Sequence, residues 1–245
     1  SRPMSSARCV GRARERRRSG LNQPYYQDDS VTLYLGDCLE VTEWLAADVL
    51  VSDPPYGIGW KANPNWTNAQ GKGTKRSSGI PTSIAADGDT RARDEALRLW
   101  GDRPAVVFGD ILRNRPSNAV HVLVYAKPAD AGIFGARAGR RKDVEGIYMV
   151  GRWPVGVGGE SSVIGTNGRV AGERGLAKRF GHPHTKPVDV MEQLVGLAEG
   201  TIADPFAGSG STLVAARNLG RKAIGVELEE RYCEIAARRL DQMCL

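Results

Sequence analysis

Between residues 201 and 219 the chain reads as a short apolar strand, a glycine-rich turn and a helix. Thr201-Ile202-Ala203 runs into Asp204-Pro205-Phe206-Ala207-Gly208-Ser209-Gly210-Ser211-Thr212, and the helical stretch that follows stops at Gly220. Glycines at such a turn let the backbone approach a ligand closely, and the helix N-terminus favours polar or negative groups, so the unit suits a nucleotide-like molecule. The next strand, 222–226, reaches Glu227, 19 residues after Gly208, where a carboxylate can accept from both ribose hydroxyls. Two other uses fall away. There is no Gly-Lys-Ser/Thr to grip a triphosphate, and the G-x-G-x-x-G spacing of dinucleotide sites is missing. On its own the loop is equally a tight turn with a surface glutamate.

The rest of the chain repeats the alternation. Strand-like runs fall at 31–35, 48–51, 104–108, 120–126, 146–150, 201–204 and 222–226, and helices at 91–100, at 187–200, after the glycine turn to Leu219, and over a final stretch that carries Tyr232, Ile235, Ala236 and Leu240. Asp37 with Glu40 forms a capping box ahead of Leu39, Trp44 and Leu45, which predicts a further short helix. Pro187 in a first turn opens the 187–200 helix and Gly200 closes it. Seven strands with interspersed helices predict an α/β fold: an open, mostly parallel, seven-stranded Rossmann-like sheet with helices on both faces. Residues 1–24 read as a disordered Arg-rich arm, and 25–245 as a single domain. Within it, 57–90 reads as a long mobile loop and about 152–181 as a short irregular insert.

A second motif closes the 48–51 strand: Asp53-Pro54-Pro55-Tyr56. Prolines have no N–H, which fixes the path of the loop and leaves its carbonyls available. Asp53 and the Pro54 carbonyl then offer two rigid acceptors, and Tyr56 a flat face. That set suits an exocyclic amino group on a planar base.

Asp53-Pro54-Pro55-Tyr56 first, and Asp204-Pro205-Phe206-Ala207-Gly208-Ser209-Gly210 much later, resembles the S-adenosylmethionine-dependent amino-group DNA methyltransferases, with the motif order of their β group. The resemblance runs from about residue 25 to 241. Leu35-Gly36-Asp37-Cys38-Leu39-Glu40 looks like the family segment that contacts the cofactor's adenine ring. His182-Pro183-His184-Thr185-Lys186-Pro187 resembles the segment beside its methionine end, with His184 where the family carries Thr and Thr185 displaced by one. Glu145-Gly146-Ile147-Tyr148 resembles the strand before the family's recognition region.

What the resemblance implies is S-adenosylmethionine as cofactor, held by Asp37, Cys38, residues Asp204 through Thr212, Glu227, Thr185 and Lys186. Asp53, Pro54, Pro55 and Tyr56 would be catalytic. The substrate would be double-stranded DNA, read through a short recognition insert at 152–181. A homodimer and a cognate restriction nuclease are the protein partners it suggests, in a bacterial or phage-encoded cytoplasmic protein. Within the family, Asp-Pro-Pro-Tyr accompanies adenine-N6 and Ser-Pro-Pro N4-cytosine, so adenine is favoured and N4-cytosine is the alternative. A DNA-binding protein that keeps the fold without catalysis is a further alternative.

No apolar run approaches the roughly 18 residues of a membrane span. Cys9, Cys38, Cys233 and Cys244 are widely separated, which fits a reducing compartment. His182-x-His184 supplies only two of the three or four ligands a zinc site needs, so no metal is expected. His121, inside an apolar run, is expected in the core.

Charge is distributed unevenly. The chain carries +6 in all, and residues 1–20, with seven arginines and Glu15, account for that total. The remaining body is neutral, yet 57–86 contains Lys61, Lys72, Lys75 and Arg76 with no acid, and 137–186 carries a net +6 that includes Arg140, Arg141, Lys142 and Arg152. These eight residues are the expected phosphate contacts. The arm is then expected to add affinity without reading sequence. Deleting residues 1–20 should weaken DNA binding evenly across sequences and flatten its salt dependence, as measured by fluorescence anisotropy over a salt series. A changed sequence preference would overturn this view of the arm.

Overall fold

The computed structural model describes residues 23–59, 87–129, 136–156, 158–166, 176 and 184–242. Nine strands form one sheet: β1 (Tyr26–Gln27), β2 (Val31–Leu35), β3 (Val49–Ser52), β4 (Ala105–Gly109), β5 (Ala119–Ala126), β6 (Val144–Val150), β7 (Val163–Gly165), β8 (Ile202–Asp204) and β9 (Ala223–Glu227). Their order across the sheet is β1-β2-β9-β8-β3-β4-β6-β5-β7. All neighbouring pairs from β2 to β4 are parallel, and β5 pairs parallel with β7. Only β1 and β6 run against the rest.

All seven expected strands are present. The two additions come from segments that carry little periodicity: β1 follows the arm, and β7 lies inside the span read as an irregular insert. At two and three residues they are too short for an alternating pattern, and pairing with a neighbour creates them.

Alternation along the central strands gives each face its own core. Val49, Val51, Val106 and Phe108 project to one side. There they meet α2 (Val188–Val195), α3 (Ser211–Asn218) and α4 (Glu230–Asp241). Leu50, Ala105 and Val107 project to the other, against α1 (Arg91–Trp100) and the short 3-10 turn Glu43–Ala46. A strand covered on both faces has no polar side to show, which is why β3 is buried throughout. Among the described residues no helix is long and apolar enough to cross a membrane.

Three local expectations are corrected. After β2 the backbone makes a turn rather than a capped helix: the Asp37 carboxylate accepts from Leu39 N at 2.9 Å, and the Asp37 carbonyl accepts from Glu40 N and Val41 N. Pro187 caps α2 from outside, and the helix ends at Gly196, four residues before Gly200. Gly200 instead lies against the Asp48 side chain with φ +103°, where a Cβ would come within 2.6 Å of its carboxylate. His121 is exposed, its Nε2 3.4 Å from Ser162 Oγ, because the first half of β5 leaves the covered part of the sheet.

Trp44 and Trp100 stack at 5.8 Å between ring centroids and are buried. Trp44 Nε1 donates to the Cys38 carbonyl at 2.9 Å, and the Arg103 guanidinium lies over Trp100 while reaching the carbonyls of Leu45 and Ala47. This cluster fixes the turn after β2. Trp44→Ala should cost about 3–5 kcal/mol of unfolding free energy in urea titrations, from the cavity it leaves and the carbonyl it orphans.

Candidate active site

Parallel strands deliver their carboxyl ends to one edge of a sheet, and clefts form there. Here the ends of β2, β9, β8, β3 and β4 surround a cavity of about 410 Å³. Its wall includes Asp37 and Cys38 after β2, Asp53 through Tyr56 after β3, Asp204 through Ser209 after β8, Glu227 ending β9, and Thr185's neighbour Lys186. The two motifs, some 150 residues apart in the chain, thus line a single space.

One end is built by the glycine loop. Gly208 and Gly210 have φ of +53° and +80°. A Cβ on Gly210 would also lie 2.8 Å from that of Ala236. Only glycine meets both demands cheaply. Ser209 is buried and pinned from two sides: Thr185 Oγ1 lies 3.2 Å from its hydroxyl, and the buried Arg239 of α4 donates to its carbonyl at 2.6 Å. Glu227 holds the loop from below, accepting Gly208 N at 2.7 Å and Glu229 N at 2.8 Å. Burial pushes its carboxyl up to about 7 despite those two donors. Asp204 is fully buried and accepts from Ser52 Oγ at 2.5 Å and Phe206 N at 3.2 Å. Burial raises it to about 6, with the Ser52 and Thr212 hydroxyls opposing. Cys38 is buried, and its thiol is pushed up to about 12.

The other end is a charged cluster. Tyr56 Oη donates to Asp53 Oδ1 at 2.7 Å, with Glu145 Oε2 at 3.1 Å. Lys186 Nζ lies 3.0 Å from Asp53 Oδ2, 3.0 Å from Glu145 Oε2 and 3.0 Å from Tyr56 Oη. Lys127 Nζ is 2.5 Å from Glu145 Oε1. Burial tends to raise both carboxyls. Lys186 and Lys127 outweigh it for Glu145, which sits at about 2. For Asp53, burial with the neighbouring Glu145 charge wins over Lys186, and its value rises. Burial and the two carboxylates push Tyr56 well above the ordinary phenol range, so it stays a neutral donor. The same burial and the Lys186 charge lower His184 to about 4.

Lys186 therefore faces the Asp53 end of the cavity, while its backbone carbonyl accepts from Ser211 Oγ at 2.8 Å. Of the expected phosphate contacts, Lys142 lines the cavity and pairs with Asp110 at 2.7 Å. Arg141 pairs with Asp143, and Arg140 pairs through its backbone with Arg137. Arg152 stands apart from them. It follows the far end of β6, pairs with Asp102 just before β4, and so lies about 20 Å along the strand from the cavity edge. Lys61, Lys72, Lys75 and Arg76 lie outside the described residues. Glu145, Lys127, Ser52 and Arg239 were not expected in the site from sequence. Their roles come from sheet register and tertiary packing; the sequence marks Glu145 only as the start of a strand, Glu145-Gly146-Ile147-Tyr148, without a role in the site. Among the described residues no group of three or more His, Cys, Asp or Glu side chains is placed to hold a metal ion.

A glycine loop, an acidic strand end and the Asp53-Pro54-Pro55-Tyr56 turn thus share one cavity. Residues 136–238 match the N6/N4 family of DNA methylases. Over 91% of its length the chain is 24% identical to the type II methyltransferase M.ScaI of Streptomyces caespitosus, spanning 86% of that enzyme. It is 36% identical over 63 residues to the DNA adenine methyltransferase YhdJ of Escherichia coli K12, a stretch covering 24% of this chain and 21% of YhdJ. The fold resembles the cytosine-N4-specific PvuII DNA methyltransferase, with a TM-score of 0.58, 16% identity and 88% of each chain covered. M1.HpyAVI, solved as a complex with SAM, gives 0.52 at 17% identity over 85% of this chain and 99% of that one. Residues 136–238 are thus similar to the N6/N4 DNA methylases, and most of the chain is similar to a type II methyltransferase.

The Glu227 carboxyl gives a stability signature. Unfolded, it titrates near 4.5; folded, near 7. The folded state therefore holds a proton across that window, and the stability this confers is complete below about 4.5 and lost as pH rises through 7. Asp204 acts in the same sense between 3.8 and about 6. Melting temperature should fall from pH 5 to pH 8, and Glu227→Gln should flatten that fall, most clearly above pH 6, in thermal scans across a pH series.

Proposed function

We propose that this protein transfers a methyl group from S-adenosylmethionine to the N6 amino group of an adenine flipped out of double-stranded DNA. The observation that carries the reading is the single cavity in which Asp53, at the end of β3, faces the glycine loop and the Glu227 carboxylate. The residues fit the cofactor. The left-handed Gly208 and Gly210 leave the loop backbone open to close approach, Asp37 and Glu227 put acceptors at two adjacent strand ends, and Cys38 and Phe206 supply apolar wall. A volume of about 410 Å³ is in the range of small-molecule sites. When bound, S-adenosylmethionine supplies an electrophilic methyl on sulfur, so that a nitrogen–carbon bond forms as the sulfur–carbon bond breaks.

The chain's task is to make a poor nucleophile react. The lone pair of an aromatic amino group is delocalised into the ring. Hydrogen bonds from that group to the Asp53 carboxylate and the Pro54 carbonyl favour a tetrahedral nitrogen with a localised pair. Pro54 and Pro55 keep these acceptors rigid, and positioning supplies the rest. Tyr56, flanking Asp53 in the wall, offers its ring to the base. Taking the base out of the stack costs a few kcal/mol, which contacts to the DNA must offset. Lys142, half-exposed at the cavity edge, is placed for a phosphate.

Adenine is preferred because the motif begins with Asp53. The N4 amino group of cytosine has the same geometry, so the product decides the base. Incubation with labelled S-adenosylmethionine and mixed-sequence DNA, followed by digestion to nucleosides, should yield N6-methyladenine. N4-methylcytosine would reassign the base, and no label would leave a DNA-binding protein without catalysis. Asp53→Ala should lower transfer by on the order of 10²-fold or more, with cofactor affinity by calorimetry little changed. Full activity in that variant would remove Asp53 from the mechanism.

A further inference from the structure

In this structure both oxygens of Asp53 are engaged, Oδ1 by Tyr56 Oη at 2.7 Å and Oδ2 by Lys186 Nζ at 3.0 Å. An amino group arriving at Asp53 needs the same oxygens. Pushing either donor aside into buried surroundings would leave a hydroxyl or an ammonium without compensation, which is costly. A second carboxylate removes that cost. Glu145 Oε2 already stands 3.1 Å from Tyr56 Oη and 3.0 Å from Lys186 Nζ. Both donors can pass from Asp53 to Glu145 by small rotations, without losing a partner.

We propose that Glu145 is a positioning residue for methyl transfer: it receives the Tyr56 hydroxyl and the Lys186 ammonium and so frees Asp53 for the target amino group. The role rests on the amino-methyltransferase reading of the cavity. It follows from the direction of β6. Every other strand of the sheet except the short edge strand β1 reaches this edge with its carboxyl end, whereas antiparallel β6 begins there and brings Glu145 in at its second residue. Lys127, at the end of neighbouring β5, holds the other oxygen, Oε1, at 2.5 Å. That pairing fixes the carboxylate and keeps it ionised, which an acceptor requires. The two carboxylates and two ammonium groups balance in charge, so donors can be exchanged without changing the net charge of the cluster.

Steady-state kinetics on the wild type, Glu145→Gln, Lys186→Met and the double variant test this. Glu145→Gln should lower kcat by about 10- to 100-fold, the range for losing a supporting partner behind a reacting group, with KM for the cofactor nearly unchanged. The acid limb of its kcat–pH profile should move to lower pH. Asp53 is faced by Lys186, Glu145 and Tyr56, with Asp204 further off, and the variant removes the negative neighbour while keeping the positive one. Adding Lys186→Met should recover part of the lost kcat, because no ammonium is left to hold Asp53. Independent, multiplying effects of the two substitutions, or an unmoved pH profile, would overturn the proposal. Glu145→Asp keeps the charge. It should retain the acid limb of the wild type, and it serves if the Gln variant does not fold. A wild type that methylates neither base would refute the functional reading instead. The placement of Glu145 would then be judged by 13C NMR of the lysine side chains: Lys186 should titrate at lower pH in Glu145→Gln, and an unchanged titration would sink it.

Discussion

The site depends on one buried hydrogen bond. Ser52, the last residue of β3, donates to Asp204, the last residue of β8, at 2.5 Å and out of contact with water. Directly after Ser52 comes Asp53, and directly after Asp204 comes the glycine loop. A contact between residues 152 apart in the chain therefore sets the distance between the two halves of the cavity. The parallel pairing of β3 with β8 brings those strand ends side by side, and the hydroxyl locks their alignment. Because Asp204 is spent on this contact and on the Phe206 amide, its part is to shape the loop.

Around that joint the cavity is organised by unequal electrostatics. At the glycine end, Glu227 and Asp204 are buried with neutral donors, and burial lifts both. At the other end, Lys186 and Lys127 are drawn in beside Asp53 and Glu145. A proton taken up there belongs on Asp53, since Glu145 is held down by two ammonium groups. The zero net charge of the body beyond residue 20 conceals this arrangement: the charges cancel locally, within the cavity wall, as well as globally.

The sheet was legible in the sequence because its central strands are covered on both faces and read as continuous apolar runs; β3 and β4 are the clearest cases. The glycine loop and Asp53–Tyr56 were legible because their backbone demands select Gly and Pro by residue type. Glu145 and Lys127 were not. Each is a single charged residue at a strand boundary, and its role exists only once β6 is known to lie antiparallel between β4 and β5. Arg239 was hidden for a similar reason, a basic residue on an amphipathic helix that turns inward to hold Ser209. Arg152 lies apart from Arg140–Lys142 because the whole length of β6 runs between them.

The reversed direction of β6 also sorts the connections of the molecule. The chain leaves β5 and enters β6 at the cavity edge, and it leaves β7 and enters α2 there as well. By contrast, β6 ends at the opposite edge, where Arg152 N donates to the Asp102 carbonyl. Each of the two crossings of the cavity edge carries a residue of the Asp53 cluster, Lys127 directly after β5 and Lys186 just before α2.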